Sequence, residues 1–416
     1  MSLLVMKFGG TSVADLDRIA EAARKITREV ANGHEVIVIV SAMAGKTNEL
    51  VSWVEDTARF YDAREYDAVV ASGENITAGL MALRLQEMGV PARSWQGWQV
   101  PIHTSAAHSA ARFVDIPRDN IDQKFAEGMK VAVIAGFQGL SPENRITTLG
   151  RGGSDTTAVA FAAAFGALRC DIFTDVDGIY TTDPRIAGKA RKLDRIAYEE
   201  MLELSSLGAK VLQTRSVELA MRYNVPLRVL SSFDETDDTS GTIVCDEGEI
   251  MESKVVSGIA YSRDEAKITL LTVEDRPGIS AAIFEPLATA GVNVDMIVQN
   301  ISEKANGAAA FTDMTFSVPV AQVDRAVKCV EDARSAGHIA FEDLVVDDDV
   351  AKVSVVGIGM RSAAGVAARM FRALADENIN IKVISTSEIK ISVLIDRKYL
   401  ELAVQTLHDA FELDKA

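Results

Sequence analysis

Two short stretches concentrate side chains suited to gripping an anion. In "MKFGGTSV" (residues 6–13), Lys7 and Phe8 close an apolar run, and Gly9 and Gly10 follow at once. In "LGRGGSDTTAVAFAAAF" (149–165), Arg151, Gly152, Gly153, Ser154 and Asp155 lead straight into an Ala-rich helical pattern. Adjacent glycines between a strand and a helix let backbone N–H groups approach a ligand, and a helix N-terminus favours negative charge there. Lys7 adds a full cation at the strand end. The second stretch offers a guanidinium, backbone amides, a hydroxyl and a carboxylate, a set matched to a ligand that carries both carboxylate and ammonium groups. Each stretch also has a plainer reading: Gly9-Gly10 as a tight turn, Ser154 and Asp155 as helix caps. Capping requires neither Arg151 nor the double glycine. Glu74, in "ASGENITAGLMALRL", opens another helix as a dipole partner or a ligand. Lys210, in "SLGAKVLQ", precedes a further helix and supplies a second cation.

The elements that must hold these residues are legible from periodicity. Short apolar runs at Leu3–Phe8, Glu35–Val40, Val131–Ala135, Cys170–Thr174 and Leu227–Leu230 predict strands. Helical patterns fall near 15–31, 66–88, 154–166 and 211–222, with Asp15 opening the first and Ile19, Ala22, Ala23 and Ile26 on one face. Strands alternating with helices predict a mainly parallel sheet sandwiched by helices. Ligands in such sheets collect at the carboxyl ends of the strands. "KFGG", "SAMAGKT", "GFQG" and "TDVDG" all follow predicted strands and are expected to share one rim.

After "SSFDETDDTSGT" (231–242), an acidic, turn-rich boundary, the chain repeats itself. "GISAAIFEPLATAGVNVDMI" from Gly278 aligns without gaps with "GVAARMFRALADENINIKVI" from Gly365, so Phe284 matches Phe371 and Asn293 matches Asn380. Each copy reads as strand, glycine turn, amphipathic helix and second strand. Two copies are too few for a solenoid and predict a pair of small α+β modules.

Composition narrows the function. A net charge of −17 argues against nucleic-acid and anionic-membrane partners. No apolar run nears the roughly 20 residues that span a bilayer, and no export signal is visible at the N-terminus. Three widely spaced cysteines (Cys170, Cys245, Cys329) suggest a reducing cytoplasm and no structural zinc. Three apparent motifs fail on their own terms. "AGKT" (44–47) has Val40 where a P-loop needs glycine. "GIGMRS" (357–362) ends in Ser362 where a dinucleotide fingerprint needs its third glycine. "TDVDG" has Phe173 and Pro184 at the terminal ligand positions of a calcium loop.

Taken together and in order, "KFGGTS", "SGEN", "GRGGSD", "FTDVDGIYTTDPR" and "LGAKVLQ" resemble the aspartate kinase family of the amino-acid kinase superfamily, and the tandem repeat resembles the ACT domains attached to it. The resemblance covers essentially the whole chain. It implies an amino-acid kinase fold over 1–245, a linker and first ferredoxin-like ACT domain over 246–345, and a second over 346–416. It implies transfer of the ATP γ-phosphoryl group to the side-chain carboxylate of L-aspartate, opening the route to lysine, threonine, methionine and isoleucine, with Mg²⁺ bridging the ATP phosphates and no protein metal site. Lys7, Asp175 and Lys210 would be catalytic. Lys7, Phe8, Gly9, Gly10, Ser41, Thr174, Asp175, Tyr180, Arg185, Lys210 and Val211 would bind ATP. Arg151 would take the aspartate α-carboxylate, helped by Thr47, Gly152, Gly153 and Ser154, while Glu74 and Asp155 hold its ammonium. Another superfamily kinase, or a catalytically dead amino-acid sensor using only its repeats, are the competing readings; intact Lys7, Asp155, Asp175 and Lys210 oppose the second.

The same resemblance implies feedback inhibition by lysine, threonine or both. Asp275, Ser280, Asn293, Asp295 and Gln299 in the first copy, with Val366, Asn380, Ile381, Thr386 and Ser387 in the second, are the effector positions it points to. It implies a homodimer or tetramer paired through these modules. Met251 offers an internal start for a separate regulatory subunit.

Overall fold

The computed structural model describes residues 2–206, 211–234, 240–250, 254–301 and 311–415. The chain divides into two compact units, one of residues 1–179, 192–206 and 210–252, the other of 180–191, 207–209 and 253–416.

The first unit is α/β. Its strands are β1 (Leu3–Phe8), β2 (Glu35–Val40), β3 (Ala92–Trp95), β4 (His103–Thr104), β5 (Phe113–Asp115), β6 (Val131–Ala135), β7 (Gln138–Leu140), β8 (Ile146–Thr148), β9 (Cys170–Thr174), β10 (Arg195–Ala197), β11 (Leu227–Ser231) and β12 (Thr242–Cys245). Its helices are α1 (Leu16–Ala31), α2 (Lys46–Thr57), α3 (Ala63–Val70), α4 (Ser72–Glu87), α5 (Asp119–Ala126), α6 (Gly153–Phe165), α7 (Tyr198–Ser206) and α8 (Thr214–Tyr223). The main sheet runs β10-β12-β11-β9-β1-β2-β6-β3, and only the β11–β12 pairing is antiparallel. Its central strands are apolar almost throughout, with all five residues from Val36 to Val40 and from Val131 to Ala135 at zero exposure, because both faces are covered. Met6, Phe8, Val36, Val38 and Val40 pack with Ile19, Ala22, Ala23 and Ile26 of α1 and Ala78, Met81, Ala82 and Leu85 of α4. Asp15 caps α1 by accepting the Arg18 N–H at 2.8 Å. A second, four-stranded sheet has the order β5-β4-β7-β8.

The expected helix over 66–88 is two helices. Ala71 breaks it, and its carbonyl accepts from Gln138 Nε2 at 3.0 Å. The segment 44–47 is the start of α2, with Gly45 as its left-handed N-cap at φ +78°.

The second unit holds β13 (Gly258–Glu274), α9 (Ile279–Thr289), β14 (Asp295–Ile301), β15 (Phe311–Val318), α10 (Val323–Ser335), β16 (Asp343–Val356), α11 (Val366–Asp376), β17 (Ile381–Thr386), β18 (Lys390–Asp396) and α12 (Leu400–Ala410). Its sheet order, β14-β15-β13-β16-β18-β17, is palindromic under the repeat: β13 answers β16, β15 answers β18 and β14 answers β17. The matched glycines Gly278 and Gly365 take left-handed N-cap conformations at φ +90° and +94°, which explains why both copies carry glycine there. Each copy has its own core, Ile268, Ile283, Leu287 and Phe316 in the first, Val353, Met370, Leu374 and Val393 in the second. The "GIGM" glycines serve packing: a Cβ on Gly357 would meet the Val255 carbonyl at 2.3 Å, and one on Gly359 the Lys254 carbonyl at 2.6 Å.

Candidate active site

β1, β2, β6 and β9 are parallel and contiguous, so the segments that follow them meet on one rim, as their positions after predicted strands imply. The Ser41 N–H donates to the Phe8 carbonyl at 3.1 Å, tying the ends of β1 and β2 together. A side chain on Gly10 would press on the Ala42 carbonyl at 3.0 Å. That close approach is why a glycine stands there.

Lys7, only 8% exposed, turns its ammonium back over Gly9 and pairs with Asp155 Oδ1 at 2.5 Å. Asp155 lies in the first turn of α6 beside Ser154, both buried. Neither caps that helix. Gly152 occupies the N-cap at φ +70° and no side chain bonds to the free N–H groups. The capping alternative is therefore excluded: the Gly153 N–H donates to the Gly150 carbonyl at 3.1 Å, and the Ser154 and Asp155 N–H groups have no partner among the described residues.

Glu74 enters from α4 and is 3% exposed. One carboxylate oxygen accepts the Ala42 N–H at 3.0 Å, and the other is buried without a hydrogen-bond partner among the described residues. Burial pushes its pKa up to about 7, against the partial relief given by the Ala42 amide. A buried acceptor with spare capacity is a site waiting for a donor.

Arg151 is exposed and lies between glycines in left-handed conformations, Gly150 at φ +77° and Gly152 at φ +70°. Ser41 and Thr47 are half-buried at the same rim segment, Thr47 inside the first turn of α2. Phe8 is fully buried, its ring stacked on Phe173 at 4.7 Å between centroids, so its side chain belongs to the core. Thr174 donates to Asp175 at 3.2 Å, and Asp175 is exposed. The carboxylate beside Lys7 is Asp155, not Asp175. Val211 is half-buried, and Lys210 lies outside the described residues.

Tyr180 and Arg185 belong to the other unit. Arg185 pairs with Asp183 through two nitrogens, at 3.0 and 2.7 Å, and Tyr261 of β13 donates to the same carboxylate at 2.9 Å. Thr181 bonds to the buried His408 of α12 at 2.9 Å. Sequence periodicity carried no sign that 180–191 packs with the repeats, since the segment holds no regular element of its own.

Within the repeats, Asp275 and Ile381 are half-buried, Val366 is buried, and Ser280, Asn293, Gln299, Asn380, Thr386 and Ser387 are exposed. Asp295 already has a partner. Lys352, almost wholly buried on β16, reaches Asp295 Oδ2 at 2.7 Å and Glu265 Oε1 at 3.0 Å. Burial opposes charge on all sides here, yet the two carboxylates hold the Lys352 pKa above its usual value. Met251 lies outside the described residues.

The geometry thus presents a buried lysine, a carboxylate oxygen without a partner among the described residues, the start of α6 and an exposed guanidinium in the segments that follow the strands. Among the described residues no group of three His, Cys, Asp or Glu side chains is placed to hold a metal ion. None of the described helices is long and apolar enough to cross a membrane.

Comparison with known proteins gives the context. Residues 2–231 match the amino acid kinase family, and 267–335 and 353–411 each match an ACT domain. The chain is 50% identical to an aspartate kinase of Stutzerimonas stutzeri and 51% identical to an aspartokinase of Pseudomonas aeruginosa, in both cases over 100% of this chain and 98% of the relative. The structure of Escherichia coli aspartokinase III in complex with aspartate and ADP superposes with a TM-score of 0.79 at 26% identity, covering 98% of this chain and 99% of that one. The same enzyme in complex with lysine and aspartate superposes with a TM-score of 0.76 at 27% identity, covering 98% and 99%.

Proposed function

The chain belongs to the aspartokinase family, and on that premise we propose that it transfers the ATP γ-phosphoryl group to the side-chain carboxylate of L-aspartate, giving 4-phospho-L-aspartate. The observation that carries this reading is Lys7 Nζ, held over the Gly9 turn by Asp155 at 2.5 Å. An anionic carboxylate must approach an anionic phosphate, so catalysis rests on positioning and on neutralising charge. Lys7 and the Gly10 amide are the donors for the transferring group, with Lys210 as a second cation; the Gly9 N–H, which donates to the Phe173 carbonyl at 3.4 Å, would have to give up that long bond to join them. Mg²⁺ enters as part of the substrate, on the ATP phosphates. Asp175 and Thr174, with Ser41, Tyr180, Arg185 and Val211, serve the nucleotide.

For aspartate, Arg151 takes the α-carboxylate through its planar fork, with Thr47, Ser154 and the amides of Gly152 and Gly153 nearby. Glu74 takes the ammonium with its unsatisfied oxygen, and Asp155 lends a second carboxylate. The product opens the route to lysine, threonine, methionine and isoleucine, and the three free cysteines suit a cytoplasmic enzyme. The repeats bind lysine, threonine or both as inhibitors and pair the subunits into a dimer or tetramer. The aspartokinase III complex with lysine supports an amino-acid effector. A coupled ADP-release assay with aspartate, glutamate and acetylglutamate tests the reading: aspartate alone should support turnover, and preference for another acceptor would overturn it.

A further inference from the structure

The loop that presents Arg151 has little stiffness of its own. Gly150 and Gly152 flank the arginine with positive φ, and the Arg151 guanidinium has no partner among the described residues. Its direction must therefore come from what holds the residues just before it. Two side chains distant in sequence do this. Thr148 Oγ1 donates to Asp67 Oδ1 at 2.6 Å. Asp67, on α3, has zero exposure and also accepts the Ser109 N–H at 3.1 Å and contacts His108 Nδ1 at 2.7 Å. Arg215, in the first turn of α8, donates to the Leu149 carbonyl and the Ala111 carbonyl, each at 2.9 Å. The Ala111 N–H closes the frame on the Thr148 carbonyl at 2.9 Å.

Neither side chain is where stability alone would put it. A fully buried carboxylate is costly, and an apolar replacement of the same shape often gives an equal or more stable core. An arginine in the first turn of a helix opposes the helix dipole. Asp67 holds Thr148 and Arg215 holds Leu149, the two residues immediately before Gly150, and Arg215 also holds Ala111, whose N–H bonds to Thr148.

We propose that Asp67 and Arg215 are positioning residues that lock the Thr148–Leu149 segment and thereby aim Arg151 at the α-carboxylate of the amino-acid substrate. The proposal rests on the reading above that Arg151 binds that carboxylate. Neither residue touches substrate; each acts through the loop.

The test is steady-state kinetics on the full-length enzyme with Thr148→Val, Thr148→Ser, Asp67→Asn and Arg215→Met, each alone and combined with Arg151→Ala. Thr148→Val, Asp67→Asn and Arg215→Met should raise KM for aspartate roughly ten- to a hundredfold, the scale of misplacing a binding group, and leave KM for ATP within about twofold. Thr148→Ser keeps the hydroxyl and should restore near-normal KM. In the Arg151→Ala background the same changes should add nothing further to KM, since the group they aim is gone. Folded variants with normal aspartate KM, equal damage to both substrates, or losses that add to Arg151→Ala would each overturn the proposal. If Asp67→Asn fails to fold, Thr148→Val and Arg215→Met carry the same decision. Should Arg151→Ala itself leave aspartate KM unchanged, the assignment of Arg151 fails and the positioning role falls with it; an effect of Arg151→Ala without one from the others sinks the positioning role alone.

Discussion

Lys7 and Asp155 form an ion pair of 2.5 Å across 148 residues of chain, joining the end of β1 to the first turn of α6 with both side chains about one-tenth exposed. A pair this enclosed is screened little by salt, and losing either member strands the other charge in a poorly solvated place. In the free protein the lysine is thus held in position by the carboxylate that is proposed to meet the substrate's ammonium.

Removing Lys7 separates its two roles. Lys7→Ala should lower kcat by roughly 10²–10³, the scale for losing one preorganised donor to developing charge. It should also lower stability, by about 3–5 kcal/mol if Asp155 remains ionised and unpaired. Lys7→Ala combined with Asp155→Asn should recover much of the stability and none of the turnover. Near-normal turnover in Lys7→Ala would reduce this lysine to a structural partner of α6.

Arg151 gives a cleaner split. With its side chain exposed and its loop built on Gly150 and Gly152, Arg151→Ala should leave the melting temperature unchanged. KM for aspartate should rise steeply and KM for ATP should hardly move. Arg151→Lys should rescue poorly, because an ammonium cannot reproduce the two-pronged contact. Equal losses for both substrates would indicate that the start of α6 had collapsed.

Glu74 should mark both activity and stability with pH. Burial raises its folded pKa to about 7 from 4.5. The folded chain therefore holds this proton more tightly than the unfolded chain. The resulting stabilisation is complete below pH 4.5 and is lost as pH rises through about 7. The separation corresponds to roughly 3 kcal/mol. Glu74→Gln should remove that slope, so its stability relative to wild type should improve between pH 5 and pH 8 in thermal melts. For catalysis the sign is opposite: the ammonium needs the ionised carboxylate, so kcat/KM for aspartate should rise toward a plateau above about pH 7 in wild type and stay flat in Glu74→Gln. Parallel pH profiles in the two proteins would remove Glu74 from the substrate site.

How far the sequence carried this reading depended on whether partners were close in the chain. β1, β2, β6 and β9 announce themselves as continuous apolar runs, and their parallel order puts Lys7, Ser41 and Asp175 on one rim. The repeat offset places α9 and α11 at the same register, each behind a left-handed glycine. The strands β4, β5, β7 and β8 have two or three residues each, too few for a period to register. Asp67 gave no signal, because His108 and Thr148 lie 41 and 81 residues away. The break at Ala71 was equally hidden, since the Gln138 that takes its carbonyl is 67 residues downstream. Lys352 looks like one lysine in an apolar strand until the fold sets Glu265 and Asp295 around it.

That last cluster sets a test for the effector site. Asp295 is among the effector positions the family resemblance points to, where its carboxylate would suit an effector's ammonium, yet Lys352 already sits 2.7 Å from it. An effector could take over Asp295 only because Lys352 keeps Glu265, at 3.0 Å, as its second partner. Gln299, exposed on β14, has no such partner among the described residues. Gln299→Ala should therefore blunt inhibition by lysine or threonine while sparing uninhibited activity and the melting temperature. Lys352→Met should destabilise the repeats by about 3–5 kcal/mol, because Glu265 is then left buried without its cation. Glu265→Gln in the Lys352→Met background should return most of that loss. Asp295→Asn lies between the two: the carboxylate is half exposed, so its stability cost should be about 1 kcal/mol or less, while inhibition should fall as far as in Gln299→Ala. The measurements are activity and melting temperature with lysine, threonine and both at millimolar concentration. An Asp295→Asn enzyme that is inhibited as well as wild type would assign Asp295 to the Lys352 ion pair alone, and the effector's ammonium would have to be sought elsewhere.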